Sequence, residues 1–224
     1  MATPTLTPGQ IAKISGLVAR YIAEQRERYA PRAVPLSLQQ RAAMGGFFSP
    51  QQHLVGTRLL VLRDQRVANP DFYPMLRDLG FSNLPDFSLM SAITFYDVVV
   101  SHEPFRDGLL FHELVHVEQY RQLGIPRFAE LYVRGFLAGG SYDLIPLEVN
   151  AYILGGRYES NPAQQFSVAD EVRRLITEGT FRGAVLQWGA RSLPSTNCGT
   201  RPSPAGMPFA PTDFRATVDG AAYR

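Results

Sequence analysis

The sequence predicts an α+β fold that is mostly helical, with a small antiparallel sheet. Two short runs rich in β-branched and apolar residues, Thr57 to Leu62 and Ala92 to Val100, are the strand candidates. Capped segments with apolar residues at helical spacing account for most of the remaining chain. A length of 224 residues with 45% hydrophobic content suffices for one sizeable core with appendages.

The elements follow in order. Thr7 and Pro8 have the form of a cap and first helical position, and Ile11, Ile14, Val18, Tyr21 and Ile22 hold one apolar face to about Tyr29. Ser37 can cap a short helix ending at Gly45 and Gly46, and Ser49 with Pro50 can start another around 51–55. Residues 1–56 thus form an N-terminal helical segment packing on a core of residues 57–192. Within that core, Asp71 to Leu79 is a short helix stopped by Gly80, and residues 81–90 form a loop pinned by Phe81, Leu84 and Phe87. A helix capped by Asp107 stops at Gly124, and a second runs from Pro126 to Gly139 and Gly140. Pro146 suits the first turn of the next helix, and Ser167 with Asp170 opens a last one reaching about Glu178. From about Leu193 the composition shifts to Pro, Ser, Thr and Gly, the signature of a tail over 193–224.

Composition narrows the function classes. A net charge of +2, with the basic residues scattered, argues against a nucleic-acid partner. No run approaches a membrane span, and MATPTLTPGQ lacks the positive start and apolar core of a signal peptide. The expectation is a chain with no membrane partner, cytoplasmic or exported by a non-classical route. A single cysteine, Cys198, excludes an internal disulfide.

The segment HELVHVEQY, residues 112–120, carries the chemistry. On a helix four residues advance the chain by about 400°, so His112 and His116 stand one turn apart on one face and can chelate one metal ion. Glu113 sits beside that face, where a carboxylate can take a proton from water without becoming a ligand. Two solvated histidines on a surface helix would show the same spacing. However, Leu110, Leu114 and Val117 form an apolar stripe that buries one side. His112, Glu113, His116 and Gln119 fall largely off that stripe, which predicts a helix packed on one side and open to a cleft on the other.

A catalytic zinc site needs a third protein ligand. The extended motif HExxHxxGxxH is excluded, because Gln119 and Gln122 stand where its glycine and histidine would be. A glutamate from a later helix is the other solution. Glu148 in IPLEVNAY (145–152) is the best placed, with Glu130 and Glu159 as competitors. Cys198 could supply a fourth, latency-conferring ligand if the tail covered the cleft.

The succession AITFYDVVV, LLFHELVHVEQY and IPLEVNAY resembles the gluzincin-type zinc metallopeptidases. It is most similar to the small bacterial metallopeptidase domain found in toxins of contractile injection systems. The resemblance spans roughly residues 90–158 and implies a zincin-like fold, with a small sheet beside the HExxH helix and a downstream glutamate helix. It also implies Zn2+ on His112, His116 and Glu148, Glu113 as general base, and a peptide or protein as substrate. Many gluzincins place an aspartate four residues after the ligand glutamate to orient a zinc histidine, whereas this chain has Tyr152 there. The partners that orient the histidines are therefore unassigned in the sequence.

Three residues compete to stabilise the oxyanion: Tyr142 first, then Tyr152 and His102. His53 is expected to be structural. The 92–100 strand could be an edge that pairs with substrate backbone or an ordinary sheet member. The functional expectation is zinc-dependent peptide-bond hydrolysis through a metal-activated water. The alternatives are a non-catalytic zinc-binding accessory module and a zinc hydrolase of non-peptide amides or esters.

Overall fold

The computed structural model describes residues 4–49 and 53–177. The tail at 193–224, with Cys198, lies outside them. The first helix, α1 (Pro8–Tyr29), starts where the sequence places it. Thr7 accepts from the Gln10 amide, and the Gln10 side chain accepts from the Thr7 amide, so two amides of the open helix end are satisfied at once. Helix α2 (Leu38–Met44) repeats the device with Ser37 and Gln40. Between them a two-residue strand, β1 (Val34–Pro35), was not foreseen. The short helix expected around 51–55 falls partly outside the described residues; the amides of His53 and Leu54 both bond back to the Ser49 carbonyl.

Strand β2 (Arg58–Val61) and helix α3 (Tyr73–Asp78) lie within the expected segments, α3 starting two residues after Asp71. The run Ala92 to Val100 is not one strand. It is a hairpin of β3 (Ala92–Phe95) and β4 (Val98–Ser101), with Phe95 opposite Val98. Its two-residue turn needs a left-handed residue, and Tyr96 takes that conformation at φ 63° instead of the usual glycine or asparagine. Contacts distant in sequence hold it there. Arg26 of α1 donates two hydrogen bonds to the Asp97 carboxylate at 2.6 and 2.8 Å, and the Tyr96 ring meets the edge of Tyr120. No local signal marks such a turn.

The hairpin also changes the sheet. Its order is β1-β2-β4-β3; β1–β2 and β3–β4 are antiparallel, but β2–β4 is parallel. The sheet is therefore mixed, not antiparallel as expected. The long connection through α3 brings the chain back so that the second hairpin arm, running in the direction of β2, becomes its neighbour. Strand β3 is left at the edge.

Helix α4 (Asp107–Gly139) is capped at Arg106 rather than Asp107, and it is two helical arms joined at Gly124. Gly124, at φ 69° and ψ 163°, interrupts the first arm where the sequence predicts its stop, and Pro126 lies at the start of the second. The second arm ends in left-handed Gly140, whose amide bonds to Phe136. Two glycines there admit the next element closely: a Cβ at Gly135 would stand 2.7 Å from the Pro146 ring, and one at Gly139 would stand 2.6 Å from Leu144. This approach seats helix α5 (Pro146–Ser160) against α4. Helix α6 (Val168–Thr177) follows directly on Ser167, whose hydroxyl accepts from the Asp170 amide as expected.

The described residues belong to one compact unit, centred on α4. Leu110, Phe111 and Leu114 pack with Met44, Phe47 and Leu154 in one apolar cluster. Tyr120, Phe128 and Phe136 join Ile14, Ile22 and Leu147 in a second. Among the described residues, no helix is long and apolar enough to cross a membrane.

Candidate metal centre

The predicted stripe of Leu110, Leu114 and Val117 is buried, but the opposite face is not open. Every residue from Glu113 to Tyr120 is buried, including Glu113, His116, Glu118 and Gln119; only His112 of the motif is partly exposed. The expectation of a helix half open to a cleft is corrected in part: the motif face is buried, and what Glu113 and His116 meet is a cavity. Helices α1, α5 and α6 and strand β3 pack around α4 on several sides, a circumstance that heptad-like patterning of one helix cannot register.

His112 and His116 project toward α5, where Glu148 stands in the first turn. Glu148 Oε2 lies 3.2 Å from His116 Nε2 and 3.7 Å from His112 Nε2, and the two nitrogens are 3.1 Å apart. Zinc bonds of about 2.0–2.1 Å at tetrahedral angles put ligand atoms about 3.3 Å apart, so the three edges fit one ion. The chemistry of the donors agrees. Glu148 is 4% exposed, and its Oε2 is buried without a geometrically satisfactory hydrogen bond. Burial alone would push the His116 imidazole down, yet the facing Glu148 carboxylate reverses this and raises it to about 9. Burial would likewise raise Glu148, but the two histidines hold it well below the usual carboxylate range. A positive charge belongs among these three atoms, and a divalent cation meets the same demand as a proton. Among the described residues this is the one His/Cys/Asp/Glu cluster with metal-ligating geometry.

The competing acids lie elsewhere. Glu130 is bound by Arg127 at 2.6 Å and Arg134 at 2.8 Å, and Glu159 is exposed near the end of α5. Glu113 stands outside the ligand triangle. Its Oε2 accepts a 2.6 Å hydrogen bond from the Thr94 hydroxyl of edge strand β3. Sequence reasoning singled out that strand but not Thr94, whose alternation with buried Phe95 gave no hint of a polar partner.

Gln119 is the second missed residue. Its Nε2 donates to the Leu147 carbonyl at 2.9 Å and to Asn150 Oδ1 at 3.1 Å, which turns its Oε1 toward His116 Nδ1 at 2.9 Å. His116 therefore donates through Nδ1 and presents Nε2 to the site. The signal was present as a polar residue three positions after the second histidine, on the same helix face. Tyr152, four residues after Glu148, packs its ring on His112 with centroids 4.6 Å apart.

A cavity of about 120 Å³ reaches this cluster and is lined in part by Glu113, His116, Glu148 and Tyr142. Tyr142 thus joins the site, together with Tyr120 and Tyr132. Burial, then the Glu148 carboxylate, raises all three phenols well above their ordinary range, so each stays a hydrogen-bond donor. Tyr152 packs on His112 and does not line the cavity. His102 is removed from the chemistry. Its Nε2 accepts from the Val67 amide at 3.0 Å, and its Nδ1 faces the Met90 carbonyl at 2.6 Å, which ties the sheet to two loops. His53 is buried behind α4, against Phe48 and 3.8 Å from Glu118.

No protein-family model, curated protein or solved structure matches the chain.

Proposed function

We propose that this chain is a zincin-like, zinc-dependent peptidase of gluzincin type, with Zn2+ held by His112, His116 and Glu148. The observation that carries the reading is the pairing of a three-ligand cluster with a carboxylate, Glu113, held beside it by Thr94. Structural zinc sites are normally closed by four protein ligands, whereas catalytic ones use three and need an adjacent base. When bound, Zn2+ supplies a Lewis acid that polarises a carbonyl oxygen and lowers the pKa of a water from 15.7 towards about 7.

The residues do the remainder. Glu113 accepts one proton from the attacking water as its oxygen bonds to the peptide carbonyl carbon. It then delivers that proton to the leaving nitrogen as the C–N bond breaks, so that water is consumed and one carboxyl and one amine are released. Thr94 holds the carboxylate in place for both transfers. Tyr142, a protonated phenol in the same cavity, donates to the oxygen that gains negative charge. The edge position of β3 favours a peptide over a non-peptide amide, because an extended backbone can add to it as a further strand.

The test is zinc content of the purified chain, followed by cleavage of a mixed peptide library with Glu113→Gln as control. One zinc per chain in both proteins, with cleavage only by the parent, is expected. Equal turnover by Glu113→Gln would remove Glu113 as the base, and zinc binding without any cleavage would favour an accessory binding module.

A further inference from the structure

The cavity that meets Glu113, His116 and Glu148 is far larger in its apolar surface than metal chemistry requires. Away from the cluster it runs between α1, α3, the 81–90 loop and β3, and its walls there are apolar and aromatic, among them Ile14, Val18, Leu76, Phe81, Leu84 and Phe136. Four of these, Ile14, Leu76, Phe81 and Phe136, are buried within the α4-centred apolar cluster. About 120 Å³ is somewhat less than an apolar void of about 150 Å³ that stays dry and admits benzene. One ring or one branched aliphatic side chain is the scale of group that fits.

Resting on the hydrolytic reading above, we propose that this cavity receives a bulky apolar side chain, of phenylalanine or leucine size, from the substrate residue next to the bond that is cut. Its selectivity is set largely by α1. The metal ligands and base come from α4 and α5, but α1 supplies Ile14, Val18, Tyr21 and Ile22 to the wall. The N-terminal helix, which patterning alone presents as a packing element, is thus a recognition element. Its placement over the site is fixed by the Arg26–Asp97 pair at the hairpin turn and by the Tyr21 hydroxyl on the Ala68 carbonyl at 2.7 Å. A charged or strongly polar side chain would be desolvated there with few protein partners, which gives exclusion as well as fit.

Two measurements on the full chain test this. Toluene, a ring-sized apolar probe, should raise the melting temperature of the zinc-free parent and leave Val18→Trp, in which an indole fills the void, unmoved. Val18 is only partly buried, and Leu84→Trp from the opposite wall serves if Val18→Trp does not fold. In the peptide library, the zinc-loaded parent should cut beside Phe, Leu or Met about 10–200-fold better than beside Gly or Asp. The tryptophan variant should lose that preference toward smaller residues. Cleavage with no apolar preference, or a folded parent indifferent to toluene, overturns the pocket assignment while leaving hydrolysis standing. A toluene shift abolished by the tryptophan variants, with no peptide cut, upholds the apolar pocket and overturns the peptidase reading.

Discussion

Gln119 Oε1 receives the Nδ1 proton of His116 at 2.9 Å, while the same amide ties α4 to the Leu147 carbonyl and Asn150 of α5. One buried side chain thus sets the tautomer of a ligand histidine and joins the two helices that carry the ligands. Gln119→Leu should weaken zinc affinity about 10–100-fold, measured by competition with a chromogenic chelator. It should also lower stability by about 1–3 kcal/mol, because buried acceptors lose their donor. Unchanged zinc affinity in the folded variant would show that His116 is oriented by packing alone.

Glu148 is expected to govern metal-linked stability. A ligand that binds only the folded state adds about 2.7 kcal/mol at 100 times its Kd. Zinc should therefore raise the unfolding midpoint of the parent and chelator should lower it again. Glu148→Ala should lose most of this increment; an increment equal to the parent's would move the third ligand elsewhere.

Thr94 offers a test that separates positioning from metal binding. Thr94→Val keeps the shape of a buried strand residue and removes the hydroxyl that meets Glu113 at 2.6 Å. Zinc content should be retained. Peptide turnover should fall by about 100-fold in kcat, the scale of a misplaced reacting group, with KM little changed. A kcat equal to the parent's would mean that Glu113 finds its position without β3.

His53 gives the fold a pH dependence of its own. Burial, partly opposed by Glu118, lowers its imidazole from the ordinary 6.5 to about 4. The unfolded chain takes up this proton near pH 6.5, and the folded chain does so only near pH 4. The stability from keeping His53 neutral is present above pH 6.5 and is lost as pH falls through that window, about 3 kcal/mol in all. Urea unfolding from pH 7 to 4 should show a shallower decline for His53→Phe, whose ring can keep the Phe48 contact. Parallel declines would mean that His53 is protonated in the folded state.

What the chain determines by itself is local. Caps at Thr7, Ser37 and Ser167, the interruption at Gly124 and the juxtaposition of His112 with His116 all depend on groups within about one helical turn. The backbone period decides these, so spacing is enough to read them. The tertiary structure decided what depends on groups far apart in the chain. Tyr96 adopts a left-handed turn because Asp97 is held by Arg26, 71 residues away, and this splits one expected strand into a hairpin and makes the sheet mixed. Thr94 meets Glu113 across 19 residues and Gln119 meets Asn150 across 31. Packing on several sides of α4, which patterning presents as half open, follows from the same cause. Each such contact exists only once several elements share one core, and its free energy is written in the geometry of that core rather than in the spacing of neighbours along the chain.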